Sequence, residues 1–121
     1  MLDHITIGVS DFERSKTFYD RALRPLGITC LYAESPDAVG YGTGPKLFFW
    51  IALRADPRRG AHIAFTAQDR EAVDRFYEEA IAAGGIDNGA PGLRPHYHPN
   101  YYGAFVLDPD GYNIEAVYHS P

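Results

Sequence analysis

Apolar and polar residues alternate at the start of the chain and again near its middle. Residues 4–9 alternate in this way and are rich in β-branched side chains, which predicts a strand. Residues 62–66 show the same alternation. Each segment is followed by an aspartate, Asp11 or Asp69, that suits the N-cap of a helix. The pattern therefore predicts a strand followed by a helix in each half of the chain.

Both predicted helices carry apolar residues at helical spacing, which is typical of a helix that packs on a core. The first stripe comprises Phe12, Phe18, Tyr19, Ala22, Leu23 and Leu26, and the second comprises Ala72, Val73, Phe76, Tyr77, Ala80 and Ile81. Pro25 and Gly27 mark the end of the first helix, and Gly84 and Gly85 mark the end of the second.

Short strands are predicted after each helix. Those of the first half are expected at residues 28–33, 38–42 and 47–53. In the second half, residues 87–99 are polar and rich in Pro and Gly, and strands are expected at 101–107 and 113–119. Asp108 and Asp110 lie in the tight turn between these two strands, so we interpret them as turn-forming residues and not as ligands.

The two halves also share residues at a constant offset. The matched pairs are His4/His62, Ile5/Ile63, Asp11/Asp69, Glu13/Glu71, Phe18/Phe76, Tyr19/Tyr77, Ala22/Ala80, Gly27/Gly85 and Ile28/Ile86. A constant register across a strand, a helix and a turn indicates a duplicated supersecondary unit. We therefore predict one α+β domain over residues 1–121, with a first βαβββ module at 1–55 and a second at 60–121.

Composition and charge narrow the classes of function. A chain of 121 residues with 45% hydrophobic residues can form one domain with a sizeable core. Its net charge of −5 is spread without long runs, which argues against nucleic acid or an anionic membrane as a partner. The single Cys30 cannot form an internal disulfide, and we identify neither a secretion signal nor a bilayer span. We expect a cytoplasmic protein that binds a small molecule.

The repeat, the paired histidines and the run at 105–115 resemble the vicinal oxygen chelate superfamily, which includes glyoxalase I, extradiol dioxygenases, fosfomycin-resistance thiol transferases and bleomycin-resistance proteins. The most specific part is Asp-Pro-Asp-Gly at 108–111, followed by Glu115 on a strand. The resemblance covers essentially the whole chain. It implies an incomplete, eight-stranded mixed barrel around a cleft, with His4, His62 and Glu115 as metal ligands.

The chemistry of these three residues suits a catalytic metal. Two imidazoles and one carboxylate on one face of an octahedron leave other positions open for a substrate or dioxygen, and they accept Fe(II), Mn(II), Ni(II) or Zn(II), one ion per site. Alternation along the last strand puts Glu115 on the same face as Asn113, where a cation would offset the cost of burying a carboxylate. The alternative is that His4 and His62 are core histidines and that Glu115 pairs with an arginine.

The strand at residues 46–51 departs from glyoxalase I, which has a fourth ligand, a carboxylate, at the equivalent position. Here the strand carries only apolar and aromatic residues after Lys46. A site with three ligands is closer to the dioxygenases and thiol transferases of the superfamily. Phe49 and Trp50 are candidates for an aromatic wall that contacts the substrate, and core packing is the alternative for each.

The segment before the penultimate strand is dense in groups that can bind or transfer protons. We predict that His98 or Tyr102 donates or accepts a proton near the metal, that Arg94 clamps an anion, and that Tyr101 contacts the substrate. One alternative is that His96 and His98 form a metal pair. Another is that the segment is a tyrosine-rich rim or a dimer interface.

The resemblance implies a metal-dependent lyase or extradiol-type dioxygenase that binds a small organic substrate through two adjacent oxygens, with Glu115 among its catalytic residues. One alternative is a metal-free protein of the bleomycin-resistance type that sequesters a drug or metabolite. Another is a thiol transferase like those of fosfomycin resistance. Family members of this length often build each cleft from two chains, so we expect a homodimer. His4 would then come from one subunit, and His62 with Glu115 from the other.

Overall fold

Two βαβββ modules follow one another in the computed structural model, which describes residues 3–33, 35–54, 62–97 and 99–119. The elements in chain order are β1 (Ile5–Val9), α1 (Phe12–Leu23), a 3₁₀ turn (Arg24–Leu26), β2 (Thr29–Tyr32), β3 (Ala38–Thr43), β4 (Lys46–Leu53), β5 (His62–Thr66), α2 (Arg70–Ala82), β6 (Ile86–Leu93), β7 (Tyr102–Leu107) and β8 (Asn113–Tyr118). This order confirms the predicted duplication.

Each module forms one four-stranded mixed sheet. The strand order is β1-β4-β3-β2 in the first sheet and β5-β8-β7-β6 in the second. In each sheet the first strand of the module pairs in parallel with the last, and the other pairs are antiparallel. The last strand of the chain therefore lies beside β5, with Glu115 opposite Ala64.

The two helices begin at the aspartates that the sequence predicts as N-caps. The side chain of Asp11 accepts a hydrogen bond from the backbone N–H of Arg14 at 3.1 Å, and that of Asp69 from Ala72 at 2.8 Å. Gly27 follows the first helix and its 3₁₀ turn with a φ of 78°, a left-handed conformation that favours glycine. In the described ranges no helix combines the length and hydropathy needed to cross a bilayer.

The helices cover one face of the sheets and leave the other face open. In β5, Ile63 and Phe65 are buried in the core, whereas His62, Ala64 and Thr66 are exposed. We call the face that carries these three exposed residues the open face of the second sheet. The first sheet has a corresponding open face that carries Thr6 of β1 opposite Trp50 of β4.

A buried hydrogen-bond network joins the two modules. The carboxylate of Asp108, in the β7–β8 turn, accepts hydrogen bonds from the hydroxyl of Tyr19 in α1 and from the backbone N–H groups of Asp110 and Tyr112. The hydroxyl of Tyr112 in turn donates to the carbonyl of Gly8 in β1 at 2.9 Å. The turn-forming role predicted for Asp108 is confirmed, and the same side chain also ties the second module to the first.

The strand β6 lies where the sequence analysis expects none, between residues 87 and 99. It is the edge strand of the second sheet and pairs only with β7, with register shifts around Gly89. An edge strand with bulges tolerates Pro91, because a proline has no backbone N–H and none is needed where the strand is not paired. Composition alone assigns no strand to this segment, although the predicted second βαβββ module requires one, because the hydrogen bonds that form it come from β7.

Candidate functional site

His62 and Glu115 meet on the open face of the second sheet. Their strands, β5 and β8, pair in parallel with His62 opposite Asn113 and Ala64 opposite Glu115, so the two side chains are diagonal neighbours on one face. His62 Nε2 lies 3.0 Å from Glu115 Oε1. The Glu115 side chain is only 2% exposed, whereas that of His62 is 47% exposed. A buried carboxylate therefore contacts an imidazole that remains accessible from the solvent.

Tyr101 contacts the same carboxylate from the other side. Its hydroxyl donates a hydrogen bond to Glu115 Oε2, so each carboxylate oxygen has a partner. Burial and this hydrogen bond raise the pKa of Tyr101, so its hydroxyl remains a donor at neutral pH. Gly103 leaves the space for this contact, because a Cβ there would lie 3.2 Å from Glu115 Oε2 and 3.2 Å from the Tyr101 ring. We call these three residues the His62–Glu115–Tyr101 cluster.

A cavity of about 450 Å³ opens over the cluster. Its lining residues are His62, Tyr97, Tyr101, Phe105, Asn113 and Glu115. The His62 ring stacks on Phe105 at a centroid distance of 6.2 Å, and Tyr97 packs edge-on against Tyr101 at 5.0 Å. Aromatic walls with a few convergent polar groups are typical of sites that bind small organic molecules.

His4, the third predicted metal ligand, lies apart from this cluster. Its Nδ1 is 2.8 Å from Asp3 Oδ2, and its side chain is exposed, as is that of His62, so neither is a core histidine. His4 lines two other cavities, of about 430 Å³ and 640 Å³, and neither is lined by His62 or Glu115. Among the residues that the structure describes, no three His, Cys, Asp or Glu side chains form a potential metal site. One chain thus brings together two of the three predicted ligands.

Tyr102 faces away from the cluster. It follows Tyr101 directly, and consecutive residues of an extended chain point to opposite faces. Its hydroxyl donates to Asp74 Oδ1 of α2 at 2.6 Å, and the guanidinium of Arg70 lies 5.0 Å above its ring. The predicted proton transfer by Tyr102 near Glu115 does not fit this placement, and Tyr101 holds that position instead.

The two aromatic residues of β4 that we predict to contact a substrate have different surroundings. Phe49 is 1% exposed and packs against Tyr19 and Phe65 at ring distances of 5.1 Å and 5.2 Å. This is the core packing that we consider as the alternative to substrate contact. Phe49 also borders the 430 Å³ cavity. Trp50 lies on the open face of the first sheet and lines the 640 Å³ cavity together with His4. Trp50 is the more accessible of the two to a ligand.

The remaining candidates lie in the segment between β6 and β7. Arg94 lies on the open face of the second sheet, with its guanidinium 5.4 Å from the centroid of Phe105. His96 is exposed and packs against Tyr97 at 4.2 Å. His98, which we predict to donate or accept a proton, lies outside the described residues. The alternative in which His96 and His98 form a metal pair therefore also involves a residue outside them.

Phe105 is a lining residue that the sequence analysis does not single out. It lies directly opposite Glu115 in the antiparallel pair of β7 and β8, so both side chains belong to the open face. Alternation along β7 is the signal that could have identified it, because Tyr101, Gly103 and Phe105 are spaced two residues apart. Using that signal requires the register between β7 and β8.

Replacing Tyr101 with phenylalanine is expected to lower the free energy of unfolding by about 2 kcal/mol, because the buried carboxylate of Glu115 loses a hydrogen-bond donor. Urea denaturation of the metal-free protein measures the change. Tyr97→Phe is the matched control, since Tyr97 is 59% exposed, and it should have little effect. Equal stabilities of the two variants would show that the hydroxyl of Tyr101 does not stabilise Glu115.

A protein family and several solved structures match this chain over nearly its whole length. The sequence profile of the Glyoxalase/Bleomycin resistance protein/Dioxygenase superfamily matches residues 1–116. A glyoxalase/bleomycin resistance protein from Albidiferax ferrireducens has 32% sequence identity and a TM-score of 0.85, with 99% of each chain covered. No curated protein matches the chain.

Two further solved structures share the fold at lower identity. A glyoxalase-related enzyme from Fulvimarina pelagi is 22% identical, with a TM-score of 0.77 over 98% of this chain and 88% of that one. A glyoxalase/bleomycin resistance protein/dioxygenase family enzyme from Burkholderia phytofirmans is 21% identical, with a TM-score of 0.75 over 98% of both chains. At these identities the likeness concerns the arrangement of helices and strands alone.

Proposed function

Because the chain belongs to the glyoxalase/bleomycin resistance protein/dioxygenase superfamily, we propose that it is a divalent-metal-dependent enzyme acting on a small oxygenated organic molecule, either a glyoxalase-like lyase or an extradiol-type dioxygenase. The observation that carries this proposal is the 3.0 Å contact between His62 and Glu115 at an aromatic cavity. An imidazole nitrogen and a carboxylate oxygen are suitable ligands for Fe(II), Mn(II), Ni(II) or Zn(II). The buried carboxylate also supplies the negative charge that favours a cation there.

The third ligand, in this proposal, is His4 of the partner subunit. Two protein ligands hold a metal weakly, and a catalytic site of this type uses three. In a homodimer, the open face of the first sheet of one subunit can face the open face of the second sheet of the other. Trp50 and Phe105 lie on these two faces and are partly exposed in the single chain, so such an association would bury apolar surface of both. Each dimer would then hold two sites.

The residues of the cluster and of the cavity lining have different roles in the proposed mechanism. His62 and Glu115, with His4 of the partner subunit, would hold a divalent metal, whose positive charge would supply stabilisation for negative charge that develops on two adjacent oxygens of the substrate. Tyr101 is a positioning residue, because its hydroxyl fixes the orientation of the Glu115 carboxylate. The rings of Phe105 and Tyr97 line the cavity and present flat apolar surfaces to the substrate.

Mixing two inactive variants tests whether the site is shared between subunits. His4→Ala and His62→Ala should each bind no metal, because every site in either homodimer lacks one ligand. A heterodimer of the two contains one site with all three ligands and one that lacks both histidines. Metal analysis of the mixed dimer, purified through a different affinity tag on each chain, should therefore find one ion per heterodimer.

The matched control for this experiment is a heterodimer of His62→Ala and Glu115→Ala. Both substitutions lie in the second module, so each of its two sites lacks one ligand and no metal should bind. Recovery in the first mixture and not in the second supports a shared site. An absence of metal in both mixtures, or its recovery in both, would contradict it.

A metal-free binding protein of the bleomycin-resistance type is the second candidate. The observation that favours it is the hydrogen bond from Tyr101 to Glu115, since His62 and Tyr101 together give both carboxylate oxygens a partner inside the chain. Such a carboxylate is stable without a cation. This candidate predicts that a chelator leaves ligand binding unchanged, whereas the metal-dependent enzyme loses it.

We further propose that the protein functions in the cytoplasm. Cys30 is a free thiol in the structure. Free thiols and few cysteines are usual in compartments where glutathione keeps cysteines reduced. Detection of the protein in the cytoplasmic fraction of its cell would test this.

A further inference from the structure

Arg94 follows β6, and its guanidinium lies over Phe105 on the open face of the second sheet, where two glycines leave room for it. A Cβ at Gly92 would lie 3.2 Å from Arg94 Nη1, and a Cβ at Gly89 would lie 3.2 Å from Nη2. Gly89 also has a φ of +148°, which side chains with a Cβ rarely adopt. The edge strand is thus shaped to receive the guanidinium.

Two further contacts hold Arg94 in place beside the cavity. Its Nη2 donates to the carbonyl oxygen of Ala90 at 2.8 Å, and the guanidinium carbon lies 5.4 Å from the centroid of the Phe105 ring. The same ring stacks on His62. Arg94 therefore belongs to the same surface as the His62–Glu115–Tyr101 cluster.

The guanidinium of Arg94 has no carboxylate partner within 4.0 Å in the part of the chain that the structure describes. Arg14 and Arg21, by contrast, lie beside Asp110 and Glu79. A guanidinium has five N–H donors in a planar fork, and among the residues that the structure describes only the Ala90 carbonyl accepts a hydrogen bond from it. An oriented, unpaired fork beside a ligand cavity suits an oxyanion.

We propose that Arg94 binds a carboxylate of the substrate, so that the substrate is a small organic acid that also carries two adjacent oxygens. The part about adjacent oxygens rests on the proposed function, whereas the contact with Arg94 does not require the metal. A carboxylate matches the guanidinium fork with two parallel hydrogen bonds. A phosphate or phosphonate offers similar oxygens, and a comparison of benzoate with phenylphosphonate distinguishes these anions from a carboxylate.

Four probes distinguish the carboxylate from the adjacent oxygens. Protocatechuate has both features, catechol has only the adjacent oxygens, benzoate has only the carboxylate, and phenylphosphonate replaces the carboxylate of benzoate. Dissociation constants come from nuclear magnetic resonance titrations of the metal-loaded protein labelled with nitrogen-15. The Nε–H signal of Arg94, identified by its loss in Arg94→Gln, reports contact with the anion directly.

We expect protocatechuate to bind about 10-fold to 100-fold more tightly than catechol, the usual contribution of a charge-assisted hydrogen bond pair. Arg94→Gln should remove this preference and leave the affinity for catechol unchanged. The matched control is Arg75→Gln, because Arg75 is exposed on α2, the helix that contacts the opposite face of the second sheet through Asp74 and Tyr102. That variant should keep the preference in full.

Several results would overturn the assignment. Equal affinity of the wild type for protocatechuate and catechol would overturn it. A preference for protocatechuate that survives in Arg94→Gln would also overturn it, and so would an Arg94 signal that none of the acids shifts. Tighter binding of phenylphosphonate than of benzoate, lost in Arg94→Gln, would reject the carboxylate in favour of a phosphonate or phosphate. If catechol fails to bind while benzoate still shifts the Arg94 signal, the metal proposal fails and the Arg94 proposal stands.

Discussion

Replacing Glu115 with glutamine is expected to lower the affinity for a divalent metal by more than about 100-fold. Mutating a residue that only hydrogen-bonds to a metal ligand already lowers metal affinity by about 10-fold to 100-fold, and Glu115 is itself a proposed ligand. Glutamine keeps the size of the side chain but removes the negative charge. The neutral amide is a poor ligand for Fe(II), Mn(II), Ni(II) or Zn(II). Isothermal titration with Mn(II), Ni(II) and Zn(II), before and after the substitution, measures the loss.

Glu78→Gln is the control for this prediction, because Glu78 is exposed on α2 and lies outside the cavity over the cluster. It makes the same chemical change and should leave metal affinity unchanged. If Glu115→Gln binds metal as tightly as Glu78→Gln, the contact between His62 and Glu115 is only a hydrogen bond. The metal-free binding protein would then be the better account.

Replacing Asp108 with alanine is expected to lower the free energy of unfolding by about 3 kcal/mol, because it leaves three donors, two of them buried and one partly buried, without an acceptor. These are the hydroxyl of Tyr19 and the backbone N–H groups of Asp110 and Tyr112. Burial raises the pKa of Asp108, which means that burying its negative charge is unfavourable. Removing the carboxylate relieves this cost, but the relief only partly offsets the loss of the three hydrogen bonds. Urea denaturation monitored by circular dichroism measures the change.

The control for Asp108 is Asp37→Ala in the loop before β3, where the carboxylate is exposed. That variant should unfold within about 0.5 kcal/mol of the wild type. Because Asp108 contacts α1 of the other module, its replacement should destabilise both modules together. A stability equal to that of Asp37→Ala would show that the turn holds its shape without the buried acceptor.

Features that depend on nearby residues could be predicted from the sequence. Asp11 and Asp69 cap the helices because a capping side chain bonds to a backbone N–H three residues later, and Asp108 forms its turn in a similar way. The duplicated pattern likewise predicts the two modules, since each repeat contains the strand, helix and turn that define it.

Features that depend on strand pairing could not be predicted in the same way. The segment Ile86–Leu93 forms β6 because β7 supplies its hydrogen bonds, although its Pro and Gly content is typical of a loop. The roles of Tyr101 and Tyr102 depend on the register of β7 with β8, which decides which hydroxyl reaches Glu115. A shift of one residue exchanges the two faces, and composition does not show it.

The position of His4 is a separate case, because its predicted role depends on a second subunit. The sequence places His4 and His62 at equivalent points of the repeat, and the resemblance implies that they share one metal. The structure of one chain puts His62 with Glu115 and puts His4 beside Asp3. The proposed pairing of modules between subunits would bring His4 of one subunit to His62 and Glu115 of the other.

Native mass spectrometry of the protein, loaded in turn with Fe(II), Mn(II), Ni(II) and Zn(II), tests the shared metal site most directly. It resolves monomer, dimer and bound metal in one measurement. We predict a dimer that carries two ions and a monomer, released by mild activation, that carries none. Metal retained on the monomer, or a dimer that stays free of all four metals, would contradict a metal site built from His4 of one subunit and His62 with Glu115 of the other.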